Sequence, residues 1–257
     1  MRRTFVIGDV HGHATELVGL LAKAGFLRPD GTDPDPGADP HERTAYSDEV
    51  VQLGDLGHYG GDTRDGDLAC WQLAATYPWF HVLVGNHEMA LLSELHRFRG
   101  QATPHSGLFS LIAAKNPQYA MERFGYLLTH AGLHEHFYDP KPKMSVKLLS
   151  ELLQIACTEP DPMEVRDNIG SHRGGRIGTS GGILWRDDRE PLADLPQVYG
   201  HSRGMIREQF TSKGESAICI DTMERHSGTL TGIWLPERKI VAFGPDAEVH
   251  ETPSLRE

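Results

Sequence analysis

The stretch TFVIGDVHG, residues 4–12, decides the fold that we predict for this chain. It opens with Thr, Phe, Val and Ile, which are all residue types that favour buried strands. Gly8 ends that run, and Asp9 and His11 follow directly. The stretch therefore predicts a strand whose carboxyl end carries a carboxylate and an imidazole.

Four further segments lead from a short apolar run into glycine and polar residues. They are VVQLGD at 50–55, HVLVGNHE at 81–88, YLLTHAG at 126–132 and QVYGH at 197–201. Apolar residues at helical spacing predict helices over 14–25, from Asn86 onward and over 145–155. Strands that alternate with helices indicate an α/β fold.

The last third of the chain is richer in strands. Runs of β-forming residues at 217–220, 229–235 and 239–243 predict consecutive antiparallel strands. We expect a single domain over residues 1–257, with packed sheets flanked by helices. Residues 28–44 hold prolines spaced among aspartates and predict a solvated loop, and 250–257 predict a short tail.

Composition limits the class of protein. Hydrophobic residues make up 39% and charged residues 24%, as in an ordinary globular protein. The net charge of −11 predicts no nucleic-acid partner, because a polyanion would be repelled. Three separated cysteines without a CxxC pair predict no disulfide framework and a cytoplasmic location. No apolar run is long enough for a signal peptide or a membrane span, so no membrane partner is expected.

The polar residues at the strand ends have the chemistry of metal ligands. In open α/β sheets, sites form at the carboxyl ends of the strands. The residues expected to meet there are Asp9, His11, Asp55, Asn86, His130 and His201. Oxygen and nitrogen donors without cysteine favour Mn²⁺, with Fe or Zn²⁺ as alternatives, over Ca²⁺. Two metals about 3.5–4 Å apart need a shared carboxylate, and Asp55, alone on its strand end, is the candidate.

Five motifs, in this order, resemble those of the phosphoprotein phosphatase (PPP) family of calcineurin-like metallophosphoesterases, of the bacterial type. They are GDVHG at 8–12, GD at 54–55, GNHE at 85–88, HAG at 130–132 and GHS at 200–202. The resemblance spans residues 4–235, nearly the whole chain. It implies the family's four-layer sandwich, in which two packed mixed β-sheets are flanked by helices.

The resemblance also implies a role for each residue of these motifs. It divides the ligands of two metals into Asp9 and His11 for the first, Asn86, His130 and His201 for the second, and Asp55 as the bridge. His87 would be the general acid that protonates the leaving oxygen, and the ordinary histidine pKa of about 6.5 suits that task. The implied reaction is hydrolysis of a phosphate ester by a water that bridges the two metals.

The second motif departs from the family pattern Gly-Asp-x-x-Asp-Arg-Gly. The aspartate that orients the acid histidine is replaced by His58, and the arginine that binds phosphate is replaced by Tyr59. One hypothesis is that a residue of the next segment restores these roles, namely Asp62, Arg64 or Asp65. Another is that His58 itself hydrogen-bonds His87 or donates the proton, while Tyr59 donates to a phosphate oxygen. Candidate catalytic residues are therefore His87, His58 and Asp62.

Binding of phosphate calls for arginine, whose planar fork pairs two oxygens at once. Arg186 follows Trp185, as in the family segment where a tryptophan precedes a phosphate-binding arginine. Arg203 follows the last motif, and we predict phosphate contacts for Arg186, Arg203 and Asn86. Further candidates are Arg189, and Arg173 and Arg176 in the glycine-rich segment 173–178.

The last motif also narrows the branch of the family. Many metallophosphodiesterases end in Gly-His-x-His, and here Arg203 takes the place of the second histidine. The chain therefore resembles the phosphatase branch. We expect a phosphomonoesterase of the Ser/Thr protein phosphatase type, whose partner is a phosphorylated protein or a small phosphoester. The alternatives are a hydrolase of dinucleoside polyphosphates such as diadenosine tetraphosphate, and a metal-binding scaffold whose catalysis has weakened.

Overall fold

Two mixed β-sheets form the centre of the molecule. The computed structural model describes residues 2–32, 48–58, 64–92, 107–141, 144–159, 161, 163–202, 204, 206–223 and 228–248. Residues 33–44 of the predicted loop 28–44 lie outside the described residues, as does the predicted tail 250–257.

The first sheet has the spatial order β10-β9-β1-β2-β3. Its strands are β1 (Thr4–Ile7), β2 (Glu49–Gln52), β3 (Phe80–Val82), β9 (Leu230–Leu235) and β10 (Lys239–Phe243). Strands β1, β2 and β3 run parallel, while β9 is antiparallel to both β1 and β10. The carboxyl ends of the three parallel strands therefore lie at one edge of the sheet.

The second sheet has the spatial order β4-β5-β6-β8-β7. Its strands are β4 (Ala120–Arg123), β5 (Tyr126–Thr129), β6 (Gln197–Tyr199), β7 (Arg207–Phe210) and β8 (Ser216–Cys219). Strands β5, β6 and β8 run parallel, and β4 and β7 are antiparallel to their neighbours.

Helices occupy the connections between strands. They are α1 (Ala14–Lys23), α2 (Arg64–Thr76), α3 (Asn86–Leu92), α4 (Leu108–Lys115), α5 (Val146–Thr158) and α6 (Glu164–Asp167), with 3₁₀ turns at Glu135–Phe137 and Ser171–Arg173. Within the described residues no helix is both long and apolar enough to cross a membrane. The three cysteines are buried free thiols.

Alternate residues of β1 face two different layers. Val6 packs into a cluster that both sheets share, together with Val198 of β6. Phe5 and Ile7 instead pack with Leu17 of α1. Because successive side chains of a strand point to opposite faces, helices cover one face of the first sheet and the second sheet covers the other.

Helix α5 covers the outer face of the second sheet, where Leu149 and Leu153 pack with Leu127 of β5. The predicted sandwich of two packed mixed sheets flanked by helices is thus confirmed. The helices predicted over 14–25 and 145–155 are confirmed as α1 and α5, and Ser145 caps α5 by accepting a hydrogen bond from the amide of Leu148.

One predicted pairing is wrong. Strand β8 was expected to continue into β9 as consecutive antiparallel strands, but it lies in the second sheet, parallel to β6. Only β9 and β10 form the expected antiparallel pair. Apolar alternation cannot distinguish the two sheets, because both bury their inner faces in the same layer. Helix α2 was not predicted, since Gly66 is a poor helix former and the apolar residues of this segment show only weak helical periodicity.

The amino ends of β1 and β2 carry a buried carboxylate that joins the two sheets. Glu49 accepts hydrogen bonds from Thr4, Arg2 and Arg123, the last from β4 of the other sheet, and His81 Nε2 lies 3.4 Å from it. Burial by itself raises the pKa of Glu49, but the hydrogen bonds from His81 and Arg123 outweigh it, so the pKa lies well below the ordinary value. The folded state therefore favours the ionised form.

We predict that Glu49→Gln lowers the free energy of unfolding at pH 7 by roughly 2–3 kcal/mol, the range for hydrogen bonds to a charged group. The depressed pKa makes this stabilisation complete above the unfolded value of about 4.3 and progressively lost as the pH falls below it. Urea unfolding at pH 7 and pH 3 measures the difference. The exposed Glu215→Gln is the control, and an equal effect of Glu49→Gln at both pH values would contradict the prediction.

Candidate metal centre

The carboxyl ends of five strands meet at one edge of the two packed sheets. Asp9, Asp55 and Asn86 follow β1, β2 and β3 of the first sheet. His130 and His201 follow β5 and β6 of the second. The structure therefore brings the predicted ligands together, with both sheets contributing to one site.

The backbone at this edge adopts conformations that side chains disfavour. His11, Asp55 and His201 have φ angles of 50°, 55° and 64°. Non-glycine residues in the left-handed region cost of order 1 kcal/mol each, and such strain clusters at functional sites. Three of the predicted ligands thus sit on strained backbone that the surrounding structure must hold.

Two motif glycines allow carboxylates to approach the main chain. A Cβ atom on Gly85 would collide with Oδ1 of Asp55, and one on Gly200 would collide with Oδ1 of Asp9. A side chain at Gly85 or Gly200 would therefore displace one of these carboxylates, so both motifs require glycine at this position.

Glu88 holds two strand ends together. Its fully buried carboxylate accepts hydrogen bonds from the amides of Asp55 (2.7 Å), Leu56 (3.0 Å), Gly57 (3.4 Å) and Gly85 (2.9 Å). These bonds join the segment after β2 to the segment after β3. Glu88 is the last residue of the motif GNHE, but nothing local in the sequence predicts which amides its carboxylate accepts from.

Four candidate ligand atoms face one another at the second predicted metal position. Nε2 of His130 lies 2.8 Å from Oδ1 of Asn86 and 3.0 Å from Nδ1 of His201. Oδ2 of Asp55 lies 3.6 Å from the same Nε2. All four residues are buried.

The chemistry of these atoms fits a cation. Nδ1 of His130 lies 3.0 Å from the carbonyl of Leu53, which can only accept, so Nδ1 carries the proton and Nε2 presents a lone pair. Burial lowers the pKa of His130 to about 3, so the ring is neutral at pH 7. A lone pair therefore faces the Asn86 carbonyl oxygen at hydrogen-bond distance with no proton between them. A divalent cation would satisfy both acceptors.

The first predicted metal position has a second group of ligands. Atoms of Asp9, His11 and Asp55 lie within 4.8 Å of one another, as do atoms of Asp55, His130 and His201. Asp55 is common to both groups, as a bridging carboxylate must be. Burial, followed by the charge of Glu88, raises the pKa of Asp55, and burial likewise raises the pKa of Asp9. Bound cations would stabilise both carboxylates in the ionised form.

His87 lies beside Asp55 at the start of α3. Its amide donates to Oδ1 of Asp55 at 2.9 Å, and its Nε2 lies 3.8 Å from Oδ2. Its Nδ1 lies 3.1 Å from the main-chain carbonyl of His58. The resemblance implies an aspartate side chain as the partner of this histidine, and in this structure the partner of Nδ1 is the main-chain carbonyl of His58.

His58 is fixed in turn by Asp67, a residue outside the five motifs. The buried carboxylate of Asp67, in the first turn of α2, accepts a hydrogen bond from the His58 amide at 2.8 Å. The His58 ring lies near His11 and His87, with ring centroids 5.4 Å and 5.1 Å away. Asp62 and Tyr59 lie outside the described residues, and Asp65 is exposed on α2.

The predicted phosphate-binding residues lie in different surroundings. Asn86 is in the centre of the site, whereas Arg203 lies outside the described residues. Arg186 is fully buried, and its guanidinium donates to the main-chain carbonyls of Ala131, Asp187 and Glu190. Its phosphate contact stays a prediction.

Comparisons with known proteins agree with this architecture. A family model described as calcineurin-like phosphoesterase matches residues 2–203. No curated protein matches the chain.

Several solved structures resemble the fold. A cold-active protein-tyrosine phosphatase of a psychrophilic Shewanella species is 16% identical, with 94% of this chain and 77% of that chain covered and a TM-score of 0.55. A protein serine/threonine phosphatase from Saccharomyces cerevisiae is 17% identical, with 95% and 80% covered and a TM-score of 0.51. A protein proposed to be a diadenosine tetraphosphatase is 18% identical, with 95% and 93% covered and a TM-score of 0.48.

The fold and the site define a metallophosphoesterase. The chain belongs to the calcineurin-like phosphoesterase family, which is metal-dependent, and it is a hydrolase that acts on phosphoester bonds.

We predict that Glu88→Gln weakens metal binding and lowers the free energy of unfolding by roughly 1–3 kcal/mol. The amide nitrogen of glutamine would face a main-chain N–H, which leaves a buried donor unsatisfied. Calorimetric titration with Mn²⁺ and urea unfolding measure the two effects. Glu151→Gln, exposed on α5, is the matched control. Wild-type metal affinity in Glu88→Gln would show that these four hydrogen bonds do not position the ligands.

Proposed function

We propose that this protein is a phosphomonoesterase of the Ser/Thr protein phosphatase type, with two metal ions and with His87 as general acid. The observation that carries the proposal is the shared position of Asp55. Its carboxylate belongs to both ligand groups and lies 3.8 Å from Nε2 of His87. Cation ligands and a proton donor therefore surround one point at the strand ends.

The chain offers a nitrogen- and oxygen-rich ligand set for the two metals. Asp9 and His11 would hold the first ion, Asn86, His130 and His201 would hold the second, and Asp55 would contact both. Bound ions would neutralise the anionic phosphate and make water acidic enough to act as a nucleophile near neutral pH. Carboxylate, amide and imidazole ligands without thiolate suit Mn²⁺, and Fe or Zn²⁺ are compatible.

His87 is held in the orientation that a general acid needs. Because the His58 carbonyl accepts only, Nδ1 of His87 carries a proton in both charge states of the ring. The proton that the ring gains and loses is therefore the one on Nε2. That atom points to the side of the site where Asp55 lies, so Nε2–H is the group that would donate to the leaving oxygen.

The choice of a monoester rests on the sequence. Arg203 stands in place of the second histidine of Gly-His-x-His, and an arginine there supplies positive charge for a doubly charged phosphate. Phosphoserine and phosphothreonine proteins follow from the resemblance of the five motifs to PPP enzymes. The competing functions are hydrolysis of dinucleoside polyphosphates and metal binding without catalysis, and the experiment below distinguishes them.

We predict that metal-stripped protein hydrolyses p-nitrophenyl phosphate only after Mn²⁺ is added. Asp55→Asn should lower this turnover more than about 100-fold, because it removes the charge that both ions share. Asp139→Asn, exposed on the segment after the 3₁₀ turn Glu135–Phe137, should leave it unchanged. Phosphopeptides and diadenosine tetraphosphate are then compared as substrates. Metal binding without turnover of any substrate would favour the metal-binding scaffold. Faster hydrolysis of diadenosine tetraphosphate than of phosphopeptides would favour the dinucleoside polyphosphate hydrolase over the protein phosphatase.

We predict that His87→Ala lowers kcat by roughly 10²–10⁴-fold for phenyl phosphate, the usual range for a lost general acid. The loss should be smaller for p-nitrophenyl phosphate, whose leaving group needs little protonation. His58→Ala should cost only a few-fold, because it keeps the carbonyl that orients His87. If His58→Ala were as damaging as His87→Ala, the His58 ring would be the proton donor or a ligand.

A further inference from the structure

Arg173 lies beside the candidate metal centre and has no part in the function proposed above. Its Nη2 donates to the main-chain carbonyl of His201 at 2.7 Å. Its Nε lies 3.0 Å from Oδ2 of Asp187, and its side chain is 17% exposed. Nη1 makes no hydrogen bond within the described part of the chain. The guanidinium is thus anchored at one end and keeps donors for a further partner.

The backbone next to Arg173 packs closely against the segment that precedes it. Arg173 ends the 3₁₀ turn Ser171–Arg173, and Gly174 follows with a φ of +94°. A Cβ atom on Gly175 would collide with the carbonyl of Ile169. The contacts of its guanidinium with the His201 carbonyl and with Asp187 position the arginine without a ligand, which reduces the entropy lost when it binds one.

Arg173 is close enough to act on both ligand groups by its charge. After the effect of burial, its charge contributes to lowering the pKa of His130 and of His201, and it opposes the rise in the pKa of Asp55. The charge of Arg186 also contributes to lowering the pKa of His201. Arg186, however, is fully buried, and its guanidinium donates to main-chain carbonyls. Of these two arginines, Arg173 is the one that a ligand can reach.

We propose that Arg173 is a phosphate-binding residue of this site and that it favours phosphomonoesters over phosphodiesters. The proposal rests on the proposed function, because it assigns the arginine that binds the same phosphate. A monoester has an additional charged oxygen that a diester lacks, and an arginine fork pairs two oxygens at once.

The test compares wild type, Arg173→Gln and Arg173→Lys, all loaded with Mn²⁺. Calorimetry measures binding of inorganic phosphate, and kinetics measure kcat/KM for p-nitrophenyl phosphate and bis-p-nitrophenyl phosphate. We expect Arg173→Gln to weaken phosphate binding and to lower kcat/KM for the monoester by roughly 10- to 100-fold, the range for charged hydrogen bonds. The diester should lose less, and Arg173→Lys should be intermediate.

Two control variants distinguish a loss of phosphate binding from a disturbance of the segment 171–178, which carries Arg173. Arg189→Gln removes the other guanidinium that pairs with Asp187, and its side chain is 60% exposed. Arg176→Gln removes an exposed arginine of the same glycine-rich segment. Both arginines are also phosphate-binding candidates from the sequence, so wild-type phosphate affinity in both variants is the result that assigns this role to Arg173. Metal content, measured by mass spectrometry, should be equal in all variants, since Arg173 contacts His201 only through its carbonyl.

The outcomes distinguish this proposal from the function on which it rests. If wild type hydrolyses nothing yet binds phosphate more tightly than Arg173→Gln, the phosphatase is wrong and the phosphate site stands. If wild type is active and Arg173→Gln keeps its phosphate affinity within two-fold, Arg173 is not a phosphate ligand. Equal losses for monoester and diester, equal losses in Arg189→Gln, or a loss of metal in Arg173→Gln would also overturn the proposal.

Discussion

The buried carboxylate of Glu88 sets the geometry on which the site depends. It accepts four main-chain N–H groups, those of Asp55, Leu56, Gly57 and Gly85. Charged acceptors make the stronger hydrogen bonds, and a buried one must be satisfied. The segments after β2 and β3 are therefore tied to each other, and Asp55 is held in its left-handed conformation with its carboxylate between the two ligand groups.

The substitution at position 58 of the second motif leaves His87 with a hydrogen-bond partner in the main chain. A histidine at position 58 removes a carboxylate, yet its carbonyl still reaches Nδ1 of His87, and Asp67 holds the amide of the same residue. Any residue at position 58 offers that carbonyl. The departure from the family pattern thus does not remove a hydrogen-bond partner for the proposed acid.

Charge explains why the site needs cations from two sources. Asp9, Asp55 and Asp221 are buried carboxylates. After the effect of burial, the charge of Asp221 raises the pKa of Asp9, and the charge of Glu88 followed by that of Asp221 raises the pKa of Asp55. The chain as a whole carries −11. An anionic substrate would be repelled unless metal ions and a fixed arginine offset this charge. The proposed metals offset it from within the site, and Arg173 offsets it from the glycine-rich segment.

The sequence by itself determined the strands that carry the site and the residues at their ends. Each motif is a local pattern, in which a β-forming run is followed by glycine and a polar residue, so it can be read without knowing the fold. Only the tertiary structure decided that β8 pairs with β6, that Glu88 joins two strand ends, and that Arg173 rather than Arg186 has accessible donors. These features depend on contacts between residues far apart in the chain, and local residue patterns do not encode which distant backbone groups will meet.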